Sequence, residues 1–376
     1  MHSLYFHIPF CERKCLYCDF YSIESQSSLD AFIDSLIAEM GFQQGGGEVG
    51  TVFFGGGTPS LLSPKTFERI LAAIHAHWRI DPSAEITVET NPGTVDKEKL
   101  AAYRSLGVNR LSIGIQSFDQ RELEFLSRIH DASQAIRCFE DARAVGFDNV
   151  SIDLMYSLPG QTLEQWRRSL TRGLRLQPDH LSLYGLIVEE GTPLFRLVAE
   201  GRVNPNGAEP EADLYQMTMQ EMSAAGFHHY EVSSYARSGK ECRHNLAYWH
   251  HLDYDGFGPS AHSFERHSGQ GGRRWGNIAN VSSYILRISE RRRPIAFEEH
   301  LEPLALAREA VFLGLRSDGI HPKQLQAETG FDITAGQRAV IDGLLEQGLL
   351  ESVDDCYRLT DKGYLLCDEI ACRLMP

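Results

Sequence analysis

The chain has 376 residues, 42% of them apolar and 23% charged, a globular balance that excludes extended disorder and leaves length for a large domain plus a small one. With 51 acidic against 36 basic residues the formal net charge is -15, which argues against a broad phosphate-binding surface and against nucleic acid as a partner. No stretch approaches ~18 uninterrupted apolar residues and the N-terminus lacks the charged-then-apolar pattern of a signal peptide, so a cytoplasmic protein without a membrane span is expected.

The first apolar run, Leu4-Tyr5-Phe6, reads as a strand and leads through His7-Ile8-Pro9-Phe10 into Cys11, Cys15 and Cys18, spaced C-x3-C-x2-C. Three thiolates at this spacing can reach three irons of one cubane cluster and leave the fourth iron without a protein ligand. A zinc knuckle completed by His7 or a remote Cys is one alternative, and a disulfide with one thiol left over is another. Cys138, Cys356, Cys367 and Cys372 lack metal spacing and read as small buried hydrophobes.

Further along, Phe32, Leu36, Ile37 and Met40 recur at helical spacing before a Gly45-Gly46-Gly47 break and a strand-like Val52-Phe53-Phe54. The alternation continues with a helix over 63–78, a strand at 86–89, a helix over 96–106 and a strand at 111–115. Helices near 119–126 and 131–145, a strand at 150–154, a helix over 162–175 and a strand at 180–184 complete it. Six strands, each followed by a helical pattern, predict a parallel sheet, and six rather than eight predict a partial (β/α)6 barrel with an open side. Glycines and polar residues gather where these strands end: Gly55-Gly56-Gly57-Thr58-Pro59 after the second, Glu89 at the end of the third, Gln116 after the fourth and Asp153 near the end of the fifth, with the apolar Ile187 after the sixth. The C-terminal rim of such a barrel is where loops converge on one cavity. Taken singly, each has a plainer reading: a glycine-rich turn, a solvated strand end, a helix cap, or, for Arg128, a surface charge.

Beyond residue 190 the βα rhythm fades. A helical stretch over 208–226 precedes His244-Asn245-Leu246-Ala247-Tyr248-Trp249, where imidazole beside Tyr and Trp suits a flat aromatic ligand such as a porphyrin, although composition alone favours a Tyr/Trp-rich core segment with a satisfied His. The final segment predicts helices over 303–315, 321–328 and 334–347 followed by a short β-wing, a small helical winged-helix-like module of mixed charge that serves as a lid or docking surface. The expected units are thus a barrel over 1–190, a barrel extension carrying the His-Asn-x-x-Tyr-Trp motif over 191–302, and the C-terminal module over 303–376.

With His-Ile-Pro-Phe before it, the cysteine loop resembles that of the radical S-adenosylmethionine (SAM) enzymes, within their coproporphyrinogen-oxidase-like branch, and the chain is similar over nearly its whole length to the HemW group of haem chaperones. That resemblance implies a [4Fe-4S] cluster on Cys11, Cys15 and Cys18, whose open iron chelates SAM and whose reduced form cleaves it to a 5'-deoxyadenosyl radical. It also implies that Tyr5 and Tyr17 contact SAM, that Gly56, Gly57 and Thr58 meet its amino group, that Glu89 and Asp153 line its ribose, and that Gln116 and Arg128 face its methionyl or ribose groups, with Ile187 among the cofactor-binding positions. Haem is implied at His244, Tyr248 and Trp249, with His250, His251 and His262 as competing axial ligands. Two features set the chain apart from the true oxidases: Phe20 stands where they carry a fourth cysteine, and the chain begins almost at the cluster strand. A chaperone is therefore expected that binds haem and passes it to an acceptor protein, membrane-associated acceptors included, with an electron donor for the cluster. The alternative is an enzyme, an oxygen-independent coproporphyrinogen III oxidase.

Overall fold

The alternating apolar runs form six parallel strands, β1 (His2–Ile8), β2 (Glu48–Gly56), β3 (Arg79–Thr90), β4 (Arg110–Gln116), β5 (Val150–Tyr156) and β6 (His180–Gly185), hydrogen-bonded in chain order. This computed structural model describes residues 2–43, 47–267 and 271–376; Gly45 and Gly46 of the glycine break lie outside them. Between the strands run α1 (Leu29–Met40), α2 (Pro64–His77), α3 (Lys97–Ser105), α4 (Gln120–Phe125), α5 (Ala132–Ala144) and α6 (Leu163–Arg175). Their starts are fixed locally: Ser63 caps α2, and capping boxes pair Asp131 with Gln134 on α5 and Thr162 with Gln165 on α6.

Along these strands the side chains obey a period of two. The helix-facing set, including Leu4, Phe6, Val52, Phe54, Leu111, Ile113, Ile152 and Leu154, is fully buried in one apolar core. Phe6 stacks on Phe54 and on Phe257 at 5.1 and 5.0 Å between ring centroids. The opposite set, which includes Tyr5, Phe53, Glu89, Arg110, Ser112, Asp153, Ser182 and Tyr184, lines a cavity inside the curve of the sheet. A buried parallel sheet ordinarily reads as continuous apolar runs. Polar alternation here marks the inner face as the wall of a site.

After β6 the chain forms α7 (Pro193–Ala199) and α8 (Ala208–Ala224), then adds strands to both edges of the sheet. β7 (His228–Glu231) and β8 (Ser234–Ala236) make a hairpin whose β8 pairs antiparallel with β6, and after α9 (Arg243–Trp249) strand β9 (Tyr254–Phe257) pairs in parallel with β1. β10 (His262–His267), β11 (Gly271–Asn277) and, beyond α10 (Val281–Ser289), β12 (Ile295–Leu301) continue antiparallel, giving one twelve-stranded sheet in the order β12-β11-β10-β9-β1-β2-β3-β4-β5-β6-β8-β7. Glu39 of α1 ties this extension down: its buried carboxylate accepts from Gly258 N–H, Asn277 Nδ2 and Tyr284 OH at 2.6–2.7 Å.

The C-terminal unit comprises α11 (Pro303–Leu315), α12 (Pro322–Thr329), α13 (Ala335–Glu346) and the hairpin β13 (Leu350–Val353)–β14 (Cys356–Leu359). Two helices absent from the sequence reading, α14 (Asp361–Tyr364) and α15 (Cys367–Leu374), close it. Two expectations need correction. Asp153 lies in the middle of β5, which runs on to Tyr156, and Cys372 is exposed on α15 rather than buried.

Candidate functional site

The cysteine loop leaves β1 and is held at its base by backbone bonds from Ile23 N–H to Pro9 O and from Cys11 N–H to Ile23 O. His7, the residue a zinc site would recruit, is committed elsewhere: its Nε2 lies 2.8 Å from Tyr21 O and its Nδ1 3.2 Å from Tyr5 OH, and burial holds its pKa down to about 4. All the cysteines are free thiols. Among the described residues no three His, Cys, Asp or Glu side chains converge as a single-ion site. Thiols spread along a loop instead suit a cubane, where each binds a different iron.

Donors surround these sulfurs. Arg128 Nη1 lies 3.5 Å from Cys15 Sγ while its Nη2 donates to Gly114 O at 2.6 Å, and Thr58 Oγ1 lies 3.6 Å from Cys11 Sγ. Burial, chiefly, pushes the Cys18 thiol up to about 11, which opposes a free thiolate and makes a bound cation the natural companion of the three sulfurs. The Gly57 backbone presses against this loop so closely that a Cβ there would fall 2.7 Å from Phe10 O, so only glycine fits. Gly56 adopts a φ of 106° and its N–H donates to Glu89 Oε2 at 3.1 Å. The donor set, the glycine approach and the free thiols fit an iron–sulfur cluster.

Behind the loop the cavity measures about 590 Å³, within the usual range for cofactor sites. Of the residues singled out in the sequence, Tyr5, Cys11, Cys15, Tyr17, Cys18, Gly56, Gly57, Thr58, Glu89, Gln116, Arg128, Asp153, Ile187, His244 and Tyr248 all line it. Gln116, at a bulge ending β4 with a φ of 69°, accepts from Tyr184 OH at 2.8 Å. Asp153 accepts from Ser112 Oγ at 3.0 Å. Burial first, and then Asp153, pushes Glu89 up to about 8. Ile187 stands at the mouth, 65% exposed.

The His-Asn-x-x-Tyr-Trp motif forms α9, which plugs the inner face of the sheet. Glu85 of β3 caps its start, its two oxygens accepting from Arg243 N–H and His244 N–H at 3.1 Å each. His244 is 1% exposed and both ring nitrogens are engaged, Nδ1 with Thr51 Oγ1 at 2.8 Å and Nε2 with Tyr248 OH at 2.9 Å, while its ring stacks on Phe53 at 4.9 Å. Burial, reinforced by Arg110, lowers its pKa to about 3, so it is neutral. Trp249 points away from this cavity. With His250, His251 and His321 it lines a second, 250 Å³ cleft against α11 and α12. His262 lies on neither.

Glu85, Thr51, Arg110, Ser112, Ser182 and Tyr184 escaped the sequence reading. The signal that marks most of them is the polar alternation within strands otherwise read only for apolar content.

Residues 5–172 match the radical SAM superfamily and residues 301–366 the HemN C-terminal domain. The chain is 38% identical to "Heme chaperone HemW" of Bacillus subtilis (strain 168), covering 98% of both proteins, and 34% identical to that of Escherichia coli (strain K12) over 98% of this chain and 96% of the relative. It is 35% identical to mouse "Radical S-adenosyl methionine domain-containing protein 1, mitochondrial" over 100% of this chain and 87% of that protein. Its fold matches that of coproporphyrinogen III oxidase HemN from Escherichia coli with a TM-score of 0.84, at 24% identity, covering 100% of this chain and 90% of the other. Cysteine loop, glycine turn, inner polar wall and full-length kinship together place the chain in the HemW family of radical SAM proteins.

Proposed function

We propose that this protein is a haem chaperone that carries a [4Fe-4S] cluster on Cys11, Cys15 and Cys18 with SAM at its open iron, binds haem, and passes it to an acceptor protein. The observation carrying this reading is the convergence, around one cavity, of the three-thiol loop with Gly56, Thr58, Glu89, Gln116, Arg128 and Asp153 above a floor built by His244 and Tyr248. When bound, the cluster supplies an electron to SAM. The chain's own residues do the rest: Arg128 balances thiolate charge at Cys15, Gly56 and Gly57 let the backbone approach the ligand closely, and Glu89 and Asp153 accept from ribose hydroxyls. Tyr17 packs with Leu126, Met155 and Leu158 and keeps bulk water from the inner wall. Engaged at both nitrogens, His244 acts on haem as a positioning residue, with Tyr248 giving α9 its aromatic surface on the cavity side. The likeness to HemN is one of fold, and Phe20 stands where the oxidases carry their fourth cysteine.

The test is anaerobic reconstitution followed by incubation with haem, SAM and an apo-haem protein. Haem should appear on the acceptor, and coproporphyrinogen supplied with SAM and a reductant should remain unconsumed. The Cys11→Ala/Cys15→Ala/Cys18→Ala variant should hold no cluster; about four irons retained in it would overturn the ligand assignment.

A further inference from the structure

Arg110 opens β4 and is among the largest fully enclosed side chains of the molecule, 2% exposed. Its Nε has no hydrogen-bond partner and its guanidinium forms no ion pair among the described residues. A buried guanidinium N–H left unbonded is costly, because it loses water and gains nothing. Acidic neighbours are close enough to act on it electrostatically, yet each is committed elsewhere. Glu85 spends both oxygens on the start of α9, and Asp153 is held by Ser112 and Ser151. What remains open to the guanidinium is the cavity, which it lines.

We propose that Arg110 is a carboxylate-binding residue at the floor of the cavity, receiving an acidic group from a ligand that reaches deeper than the cysteine loop. A guanidinium presents a planar fork that matches a carboxylate at two points. Six residues of strand separate Arg110 from Gln116 at the rim, roughly 20 Å of backbone. Two acids come into question, the α-carboxylate of SAM and a propionate of haem. A SAM carboxylate chelated at the cluster stays near the rim, so the depth favours haem, an assignment that rests on the chaperone reading.

The experiment measures binding of haem and of haem dimethyl ester, and of SAM and decarboxylated SAM, to wild-type, Arg110→Met and Arg110→Lys proteins carrying the cluster. Wild type should prefer haem over its ester, and Arg110→Met should lose that preference by roughly ten- to hundredfold. Arg110→Lys keeps the charge without the fork and should retain part of it, which also carries the test if the Met variant fails to fold. Loss of preference in the SAM pair alone would support the carboxylate role and assign the acid to SAM. Preferences unchanged in both pairs, or acid and neutral forms weakened equally, would overturn it. Wild type binding neither haem form would sink the chaperone reading, and the SAM pair would still decide the role of Arg110.

Discussion

Glu89 shows how one protonation sets the terms of binding. Burial and the nearby Asp153 raise it to about 8, so near neutral pH the empty pocket holds a carboxylic acid, whereas accepting ribose hydroxyls favours the carboxylate. Binding must then expel a proton. SAM affinity should rise with pH up to about 8, by as much as ~tenfold per unit, and level off above it. Calorimetry in buffers of different ionisation enthalpy would show the released proton, and Glu89→Gln should flatten the profile; an affinity constant from pH 6.5 to 8.5 in wild type would remove Glu89 from the site. His244 carries a second expectation. Because Thr51 and Tyr248 hold both its nitrogens, His244→Ala should weaken haem binding while leaving the Soret maximum of bound haem where wild type has it. A shifted Soret band found in that variant, and not in His250→Ala, His251→Ala or His262→Ala, would instead make His244 the iron ligand.

Among the elements, α9 depends most on a distant residue. Seven residues are too few to hold a helix in water, and Glu85, 158 positions earlier, supplies the cap. Replacing Glu85 with Ala leaves two buried N–H groups unsatisfied, and the resulting loss of about 1–3 kcal/mol should appear as a lower denaturation midpoint together with weaker haem binding. An effect confined to SAM affinity, with the denaturation midpoint unchanged, would contradict the capping role. This element also marks where the sequence stops being readable. Strands β1 to β6 announce themselves because each is a compact apolar run between helical patterns, and Cys11, Cys15 and Cys18 announce themselves by spacing. Glu85 does not, since its importance comes from the N–H groups of Arg243 and His244, which only the folded sheet brings near, and Arg110 does not, since what marks it is burial with its Nε unpartnered. Short, arginine- and glutamate-bearing strands such as β11 and β12 were equally silent. They are strands because β10 and one another complete their ladders.

For the whole molecule, ion pairs join the sheet extension to the C-terminal unit: His250 to Asp318 at 3.3 Å, His251 to Glu309 at 3.1 Å, Arg274 to Glu309 at 3.1 Å and Arg266 to Glu328 at 3.2 Å. The bond to Asp318 raises the pKa of His250 above its ordinary value. Against burial, the bond and charge of His250 and the charge of His321 draw Asp318 down to about 2. A raised imidazole stabilises fully below its ordinary value of about 6.5 and loses that contribution as pH climbs through the raised one. Docking of the C-terminal unit should therefore loosen slightly as pH rises above about 6.5, by under ~1 kcal/mol because the pair is a third exposed. Hydrogen exchange along α11 and α12 would report this, and His250→Ala should abolish the pH dependence. Protection factors that are flat with pH in the wild type would show that the pair contributes nothing to the junction.

About two turns of helix carry His244 and Tyr248 on the barrel floor and end at Trp249 in the cleft against the C-terminal unit, with His250 and His251 beside it. At 1.5 Å per residue α9 is a rod of about 10 Å, too short to bend. A molecule that displaced α9 from within the barrel would move Trp249 as well. If a protein seated against that cleft responds to that displacement, the two alter each other's affinity by the same factor.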